Sequence, residues 1–203
     1  MPATQLETDP QVIPTKTRIL YAGAELFGRQ GYTGTGLKQI SEAAQAPFGS
    51  LYHHFPGGKE ELGDDVIRQA GEFFRVLVDS VFASEPDIVA GVRAVFGGAA
   101  ETVRATGFQD ACPIAAIALE VASTNERLRE ATAEVFTSWI AAATARFSAA
   151  GIPDARAAEL AISMIAALEG AFVLARATRD TTALTVAGDL IATAVQRELA
   201  ATA

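Results

Sequence analysis

Histidine and cysteine are nearly missing from this 203-residue chain, which has one cysteine, Cys112, and two histidines, His53 and His54. A single thiol builds no intramolecular disulfide framework. The two histidines are adjacent in one short segment, so Cys112 has no evident imidazole partner, and no ligand spacing suits a metal. Gly58-Lys59 is followed by Glu60 and has no glycine at position 53, which excludes a P-loop, and no dinucleotide fingerprint occurs. Long apolar runs are lacking too. Residues 160–175 come nearest, but Glu169 interrupts them and the runs on either side are too short for a bilayer. Residues 1–14 hold neither a basic region nor an apolar core, so they read as a disordered arm and not as a secretory signal. The expectation is a cytoplasmic protein that is not an enzyme, with no catalytic residues, cofactor, metal or membrane.

Positive charge is also scarce, with a formal net charge of −8. Residues 1–62 carry five basic side chains (Lys16, Arg18, Arg29, Lys38, Lys59) against six acidic ones, so most of the acidity lies beyond residue 62. Screening over about 8 Å at physiological salt keeps that distant charge from dominating a contact made near the N-terminus.

What is present is apolar and helical. Half the residues are hydrophobic, with a heavy bias to alanine and little lysine relative to arginine. Ile19, Leu20, Ala22, Leu26 and Phe27 predict a first helix over about 15–30, stopped by Gly31. A second follows at 37–44, with Leu37, Ile40, Ala43 and Ala44 as its buried stripe and Thr35 placed to cap it. Gln45-Ala46 makes a turn, Pro47 suits the first position of a third helix, and Pro56-Gly57-Gly58 ends that helix by Phe55. So short a helix needs packing to persist. Leu51 and Phe55 supply it, which leaves Pro47, Phe48, Gly49, Ser50, Tyr52 and His53 facing outward. Two short helices with a sharp turn present one of them to a DNA major groove.

Beyond residue 62 the patterns are long helices with no convincing strand. They run at about 59–82, 86–105, 113–122, 126–149, 154–179 and 182–200, broken at Pro86, at 107–111 and at Gly151-Ile152-Pro153. The fold class is therefore all-α, with about nine helices. Phe96, Ile117, Phe136 and Trp139 cluster on the middle helices near the Cys112 loop, as either a solid core or the wall of an apolar ligand cavity. The last two helices, with Leu168, Phe172, Ile191 and Val195, are too apolar for a surface flap. They either close the monomer core or pair across a two-fold axis as a four-helix bundle.

The run Leu51-Tyr52-His53-His54-Phe55, followed by Lys59 and Leu62, resembles the signature of the tetracycline-repressor (TetR) family of bacterial regulators. That resemblance implies residues 15–58 as a helix-turn-helix DNA-binding domain and 59–203 as a ligand-binding and dimerisation domain. It gives Thr35, Lys38, Tyr52, His53 and Lys59 the phosphate contacts, and Pro47, Phe48, Gly49 and Ser50 the approach to the bases. Phe48 departs from the family, which often has lysine or another polar residue there; a phenyl ring packs on a thymine methyl or contributes affinity without reading sequence. Ala111-Cys112-Pro113-Ile114-Ala115-Ala116, Leu119-Glu120 and Ala167-Leu168-Glu169-Gly170-Ala171 resemble the repressors that respond to drugs or flavonoid-like aromatics. The implied protein is a homodimeric repressor of a palindromic operator, released by a small hydrophobic or aromatic effector. The implied dimer places Leu168, Phe172, Ile191 and Val195 at the interface. Taken without the resemblance, the residues leave open a structural adaptor or an enzyme working through carboxylates.

Overall fold

Capping side chains and turn glycines divide the chain into its helices. The computed structural model describes residues 13–110 and 112–202, so most of the expected arm at 1–14 lies outside the described residues. Among the described residues there are nine α-helices and no strand. They are α1 (Thr15–Gln30), α2 (Leu37–Ala43), α3 (Phe48–His54), α4 (Gly58–Ser84), α5 (Ile88–Ala105), α6 (Pro113–Val121), α7 (Glu126–Ala149), α8 (Asp154–Thr178) and α9 (Thr182–Thr202). Asp87 starts α5 by accepting from the Ala90 N–H at 2.8 Å, and Asn125 starts α7 by accepting from Leu128 at 3.0 Å. Pro47 and Pro153 sit one residue earlier than their helix preference suggests, as the cap residues of α3 and α8.

Thr35 is a correction. It does not cap α2, because Gly36 does, its N–H donating to Gln39 Oε1 at 2.7 Å. The Thr35 hydroxyl is turned inward instead, donating to the Gly31 carbonyl at 2.6 Å, and the residue is 1% exposed. It ties the end of α1 to the start of α2 and has no access to a phosphate. Ala43, expected in the buried stripe of α2, is exposed, while Ile40 and Ala44 are buried.

Two apolar cores share the long helices. The first gathers Ile19, Phe27, Ile40, Leu51, Phe55 and Leu62 around α1–α3 and the start of α4, and it continues into Ile114, Ile117 and Val121 of α6 and Leu128 of α7. The second joins the far ends of α4 and α7 to α5, α8 and α9 through Val92, Phe96, Phe147, Leu160, Met164 and Val195. The α4 and α7 axes approach closely at Gly71, where an added Cβ would lie 2.6 Å from Val135 Cγ1. Helix α8 is long and apolar enough to cross a membrane by length and composition. Its Ala157, Leu160, Ala161, Met164, Ala171 and Ala175 are buried in the second core.

Candidate functional site: a nucleic-acid interface and an apolar cavity

Helix α3 is too short to hold itself, and the structure shows what holds it. Leu51 and Phe55 are fully buried against α1 and α4, and the Lys16 ammonium lies 5.3 Å from the centre of the Phe55 ring. The turn before α3 passes through Gln45 in the left-handed region, at φ 50. Its carbonyls are gripped from two sides. Arg18 of α1 donates to Ala44 O at 3.0 Å and to Gln45 O at 3.3 Å, and Ser41 Oγ donates to Ala46 O at 2.7 Å. Neither role was legible from spacing, because both act on backbone that the fold brings within reach.

With its apolar side occupied, α3 turns Pro47, Phe48, Gly49, Tyr52 and His53 to solvent, with Ser50 half-buried beside them. Phe48 and Tyr52 are each 48% exposed and meet edge to face at 5.6 Å. Nothing lies within 4 Å of a Cβ added at Gly49, so the backbone there is open to close approach. Lys38 projects from α2, only loosely associated with Glu42 at 3.9 Å. The outward surface combines aromatic, imidazole and ammonium groups, and it carries no carboxylate on α3.

Lys59, expected at a phosphate, has contacts within the protomer. Its ammonium lies 4.4 Å from the Tyr32 ring centre and 3.5 Å from the Thr33 carbonyl, and burial lowers its pKa while Glu120 opposes the shift. It is turned back on the turn between α1 and α2. That turn has a second support that spacing did not show. Glu120, at the end of α6, accepts from the N–H groups of Tyr32 at 2.9 Å and Thr33 at 2.7 Å. Gly31 makes room for it: its φ is +80, and a Cβ there would lie 2.0 Å from Glu120 Oε1. Arg29 also bridges α1 to Asp110 before α6, at 2.8 Å.

Between the two cores lies a cavity of ≈ 750 Å³, open to solvent beside the exposed Tyr21, Phe73 and Leu77. Its wall begins at α1 with Leu20 and Ala24 and ends at α8 with Met164, Leu168 and Phe172. Cys112 and Trp139 are among its lining residues. The indole is fixed by donating to the Gly71 carbonyl at 2.9 Å and by edge contact with Phe136 at 5.6 Å. Three of the expected lining residues lie elsewhere. Phe96 is 1% exposed and packs under Gly188 of α9, Ile117 is fully buried beside α1, and Phe136 stands behind Trp139.

Of the four residues expected at a dimer interface, Leu168 and Phe172 are half-buried and face the cavity, and Ile191 and Val195 are buried within the protomer's second core. The exposed apolar residues of the last two helices are Ile162, Val173 and Leu174 on α8 and Val186 and Leu190 on α9.

One ionisable group stands out in the cavity wall. Burial raises the Glu169 carboxyl from 4.5 to about 7, against a weaker opposing hydrogen bond from Cys112. The Cys112 thiol is raised as well, by burial and by the carboxyl beside it, so it stays protonated at neutral pH. A carboxyl raised on folding binds more protons folded than unfolded between 4.5 and about 7. Its contribution to stability is therefore fullest below that window and is lost as pH rises through it. Denaturant titrations should show Glu169→Gln gaining on the parent by roughly 2–3 kcal/mol between about pH 5 and pH 8. A parent and variant that keep a constant difference over that range would place Glu169 in water.

Comparison with known proteins agrees with this geometry. Residues 19–66 match the family described as bacterial regulatory proteins, tetR family. Residues 88–190 match the C-terminal domain of LmrA/YxaF-like transcriptional regulators. The HTH-type transcriptional regulator LmrA of Bacillus subtilis (strain 168) is 32% identical over 170 residues, covering 84% of this chain and 90% of its own. An HTH-type transcriptional regulator of Mycobacterium tuberculosis is 33% identical over 174 residues, covering 83% of this chain and 88% of its own. Among solved structures, the regulatory protein TetR from Rhodobacter sphaeroides superposes with a TM-score of 0.80 at 24% identity, over 89% of this chain and 98% of that one. With a helix-turn-helix that turns α3 outward, on a body of this fold, the chain belongs to the TetR family of helix-turn-helix transcriptional regulators.

Proposed function

We propose that the chain works as a homodimeric repressor whose two α3 helices read a palindromic operator and whose cavity takes a hydrophobic or aromatic effector that releases the DNA. The observation that carries this reading is the reach of the cavity, from α1, which supports α3, to α8. A ligand seated there touches the DNA-binding end and the body together. The division of labour falls near residue 58, although the two parts share a core through α6 and α7. The site of action is the cytoplasm, where the operator is.

In this reading Lys38, Tyr52 and His53 meet phosphates, and Pro47, Phe48, Gly49 and Ser50 approach the base edges. Two-fold pairing comes from the exposed stripe of α8 and α9, and it sets the recognition helices about 34–36 Å apart. Reversal of binding needs a ligand that prefers one arrangement of the dimer, and about 1–3 kcal/mol of coupling gives a 5–150-fold change in operator affinity.

Selection of bound genomic fragments with the purified protein tests the reading directly, because it should recover an inverted repeat. With that operator, Lys38→Ala should weaken all sequences alike and lower the slope of log affinity against log salt by about 2, one contact from each subunit. Phe48→Ala and Ser50→Ala should instead change which sequences are preferred. Recovery of no enriched fragment favours an adaptor role, and an unchanged salt slope removes Lys38 from the phosphate contacts.

A further inference from the structure

The cavity wall contains a carboxyl that apolar packing does not require. Glu169 lies midway along α8, among Leu168, Phe172 and Ile165, and its hydrogen-bond partner is the buried Cys112 thiol. A thiol is a weak donor. It leaves most of the acceptor capacity of that carboxyl unused, in a site where burial alone costs free energy. The charged groups sharing the cavity are Glu25 of α1, Arg75 and Asp79 of α4, Glu101 of α5, Asp110 before α6 and Arg146 of α7. Both arginines are engaged, Arg75 with Glu72 and Asp79 and Arg146 with Asp79. Arg29 holds Glu25 and Asp110 at 2.6 and 2.8 Å, so among the described residues Glu101 and Glu169 are the acids of the wall outside an ion pair, and the balance of charge there is negative.

We propose that the cavity is built for an amphipathic cation, an apolar body with an ammonium group seated on the Glu169 carboxylate in place of the Cys112 thiol. The proposal rests on reading the cavity as a ligand site. A neutral ligand would leave Glu169 with its weak partner. An anion would meet Glu101 as well as Glu169. An ammonium satisfies the carboxylate and, near neutral pH, drives off the proton that burial holds there.

Calorimetry on the full chain without DNA tests this with phenylbutylamine, phenylbutanol and phenylbutyrate, one carbon skeleton bearing a cation, a hydroxyl or an anion. At pH 8 the amine should bind at least about tenfold more tightly than the alcohol, the size expected of a charge-assisted hydrogen bond. Phenylbutyrate should bind most weakly. Glu169→Gln should bring the amine down to the alcohol or below it while changing alcohol binding by less than about twofold. Glu101→Gln should keep the preference. At pH 7 the heat of amine binding should depend on the ionisation enthalpy of the buffer, because a proton is released. Equal affinities for amine and alcohol, tightest binding of phenylbutyrate, or a preference that survives in Glu169→Gln would each overturn the proposal. If Glu169→Gln loses the alcohol too, the parent decides, and a buffer-independent heat counts against it. An amine that binds through Glu169 but leaves operator affinity unchanged would sink the effector reading and leave this one standing.

Discussion

A Leu190→Glu protein should sediment as a folded monomer and lose its operator. Leu190 is 65% exposed on the isolated protomer, so a carboxylate there faces water and costs the subunit little. In the proposed bundle the same side chain sits between subunits, where Val186, one turn earlier, and Ile162, Val173 and Leu174 of α8 form the rest of the apolar face. Two-fold symmetry puts two unpaired carboxylates into that interface, each costing several kcal/mol. Dimerisation should weaken by about 10³-fold or more. One recognition helix alone cannot span two half-sites, so operator binding falls with it. Far-ultraviolet circular dichroism should show helix content close to the parent. A Leu190→Glu protein that remains a dimer and binds operator with parental affinity would move the interface away from α8 and α9.

The same exposure pattern separates the proposed interface from the residues expected of it. Helix α8 is apolar on nearly every side, so its spacing cannot say which face turns inward. The expectation named Leu168 and Phe172 on α8, and both lie on the cavity wall while Val173 and Leu174 face out. A Phe172→Glu change would therefore perturb the cavity and not the pairing surface. Where one face alone is apolar the reading was secure. Ile19, Leu20, Ala22 and Phe27 of α1, Leu51 of α3 and Phe55 just after it are buried as their spacing implied, with Leu26 half-buried beside them. Helix ends marked by Gly31, Pro86 and Gly151 fell within a residue or two of expectation.

The cavity shows the converse limit. Phe73 and Leu77 of α4 have the spacing of a core stripe, yet they are 62% and 45% exposed at its mouth. Periodicity records which residues avoid the polar face of a helix. It does not record whether a partner fills the space opposite. Glu169 was legible only as an interruption of an apolar run, and its neighbour Cys112 only as a lone thiol. Their pairing across 57 positions of sequence is a product of the fold, which brings the residue before α6 to the middle of α8.

The contact least visible in the chain carries the second large effect. Glu120 lies 88 residues from Tyr32, and its two oxygens take the N–H groups of Tyr32 and Thr33. Hydrogen bonds to a charged group contribute about 1.5–3 kcal/mol each, and partial exposure puts this pair at the low end. Glu120→Ala should therefore lower stability by about 2–3 kcal/mol, which for a chain of this size is a fall in melting temperature of several degrees. The functional loss should be larger than stability alone explains. The freed turn sets where α2 and Lys38 stand relative to α3, so operator affinity should fall by about tenfold or more at temperatures where the variant is fully folded. Helix α6 also joins this turn to the cavity, with Cys112 in the wall at its start and Glu120 on the turn at its end. Cutting that link should leave ligand binding, read from quenching of the single tryptophan Trp139, within about twofold of the parent. The ratio of operator affinities with and without ligand should shrink towards one. Glu120→Gln, which keeps an acceptor for one of the two N–H groups, should fall between. If Glu120→Ala melts with the parent and holds operator with parental affinity, the two hydrogen bonds contribute nothing to the placement of α2. If it loses stability yet keeps the full ligand response, the signal travels along α4 or α1 and α6 is only a buttress.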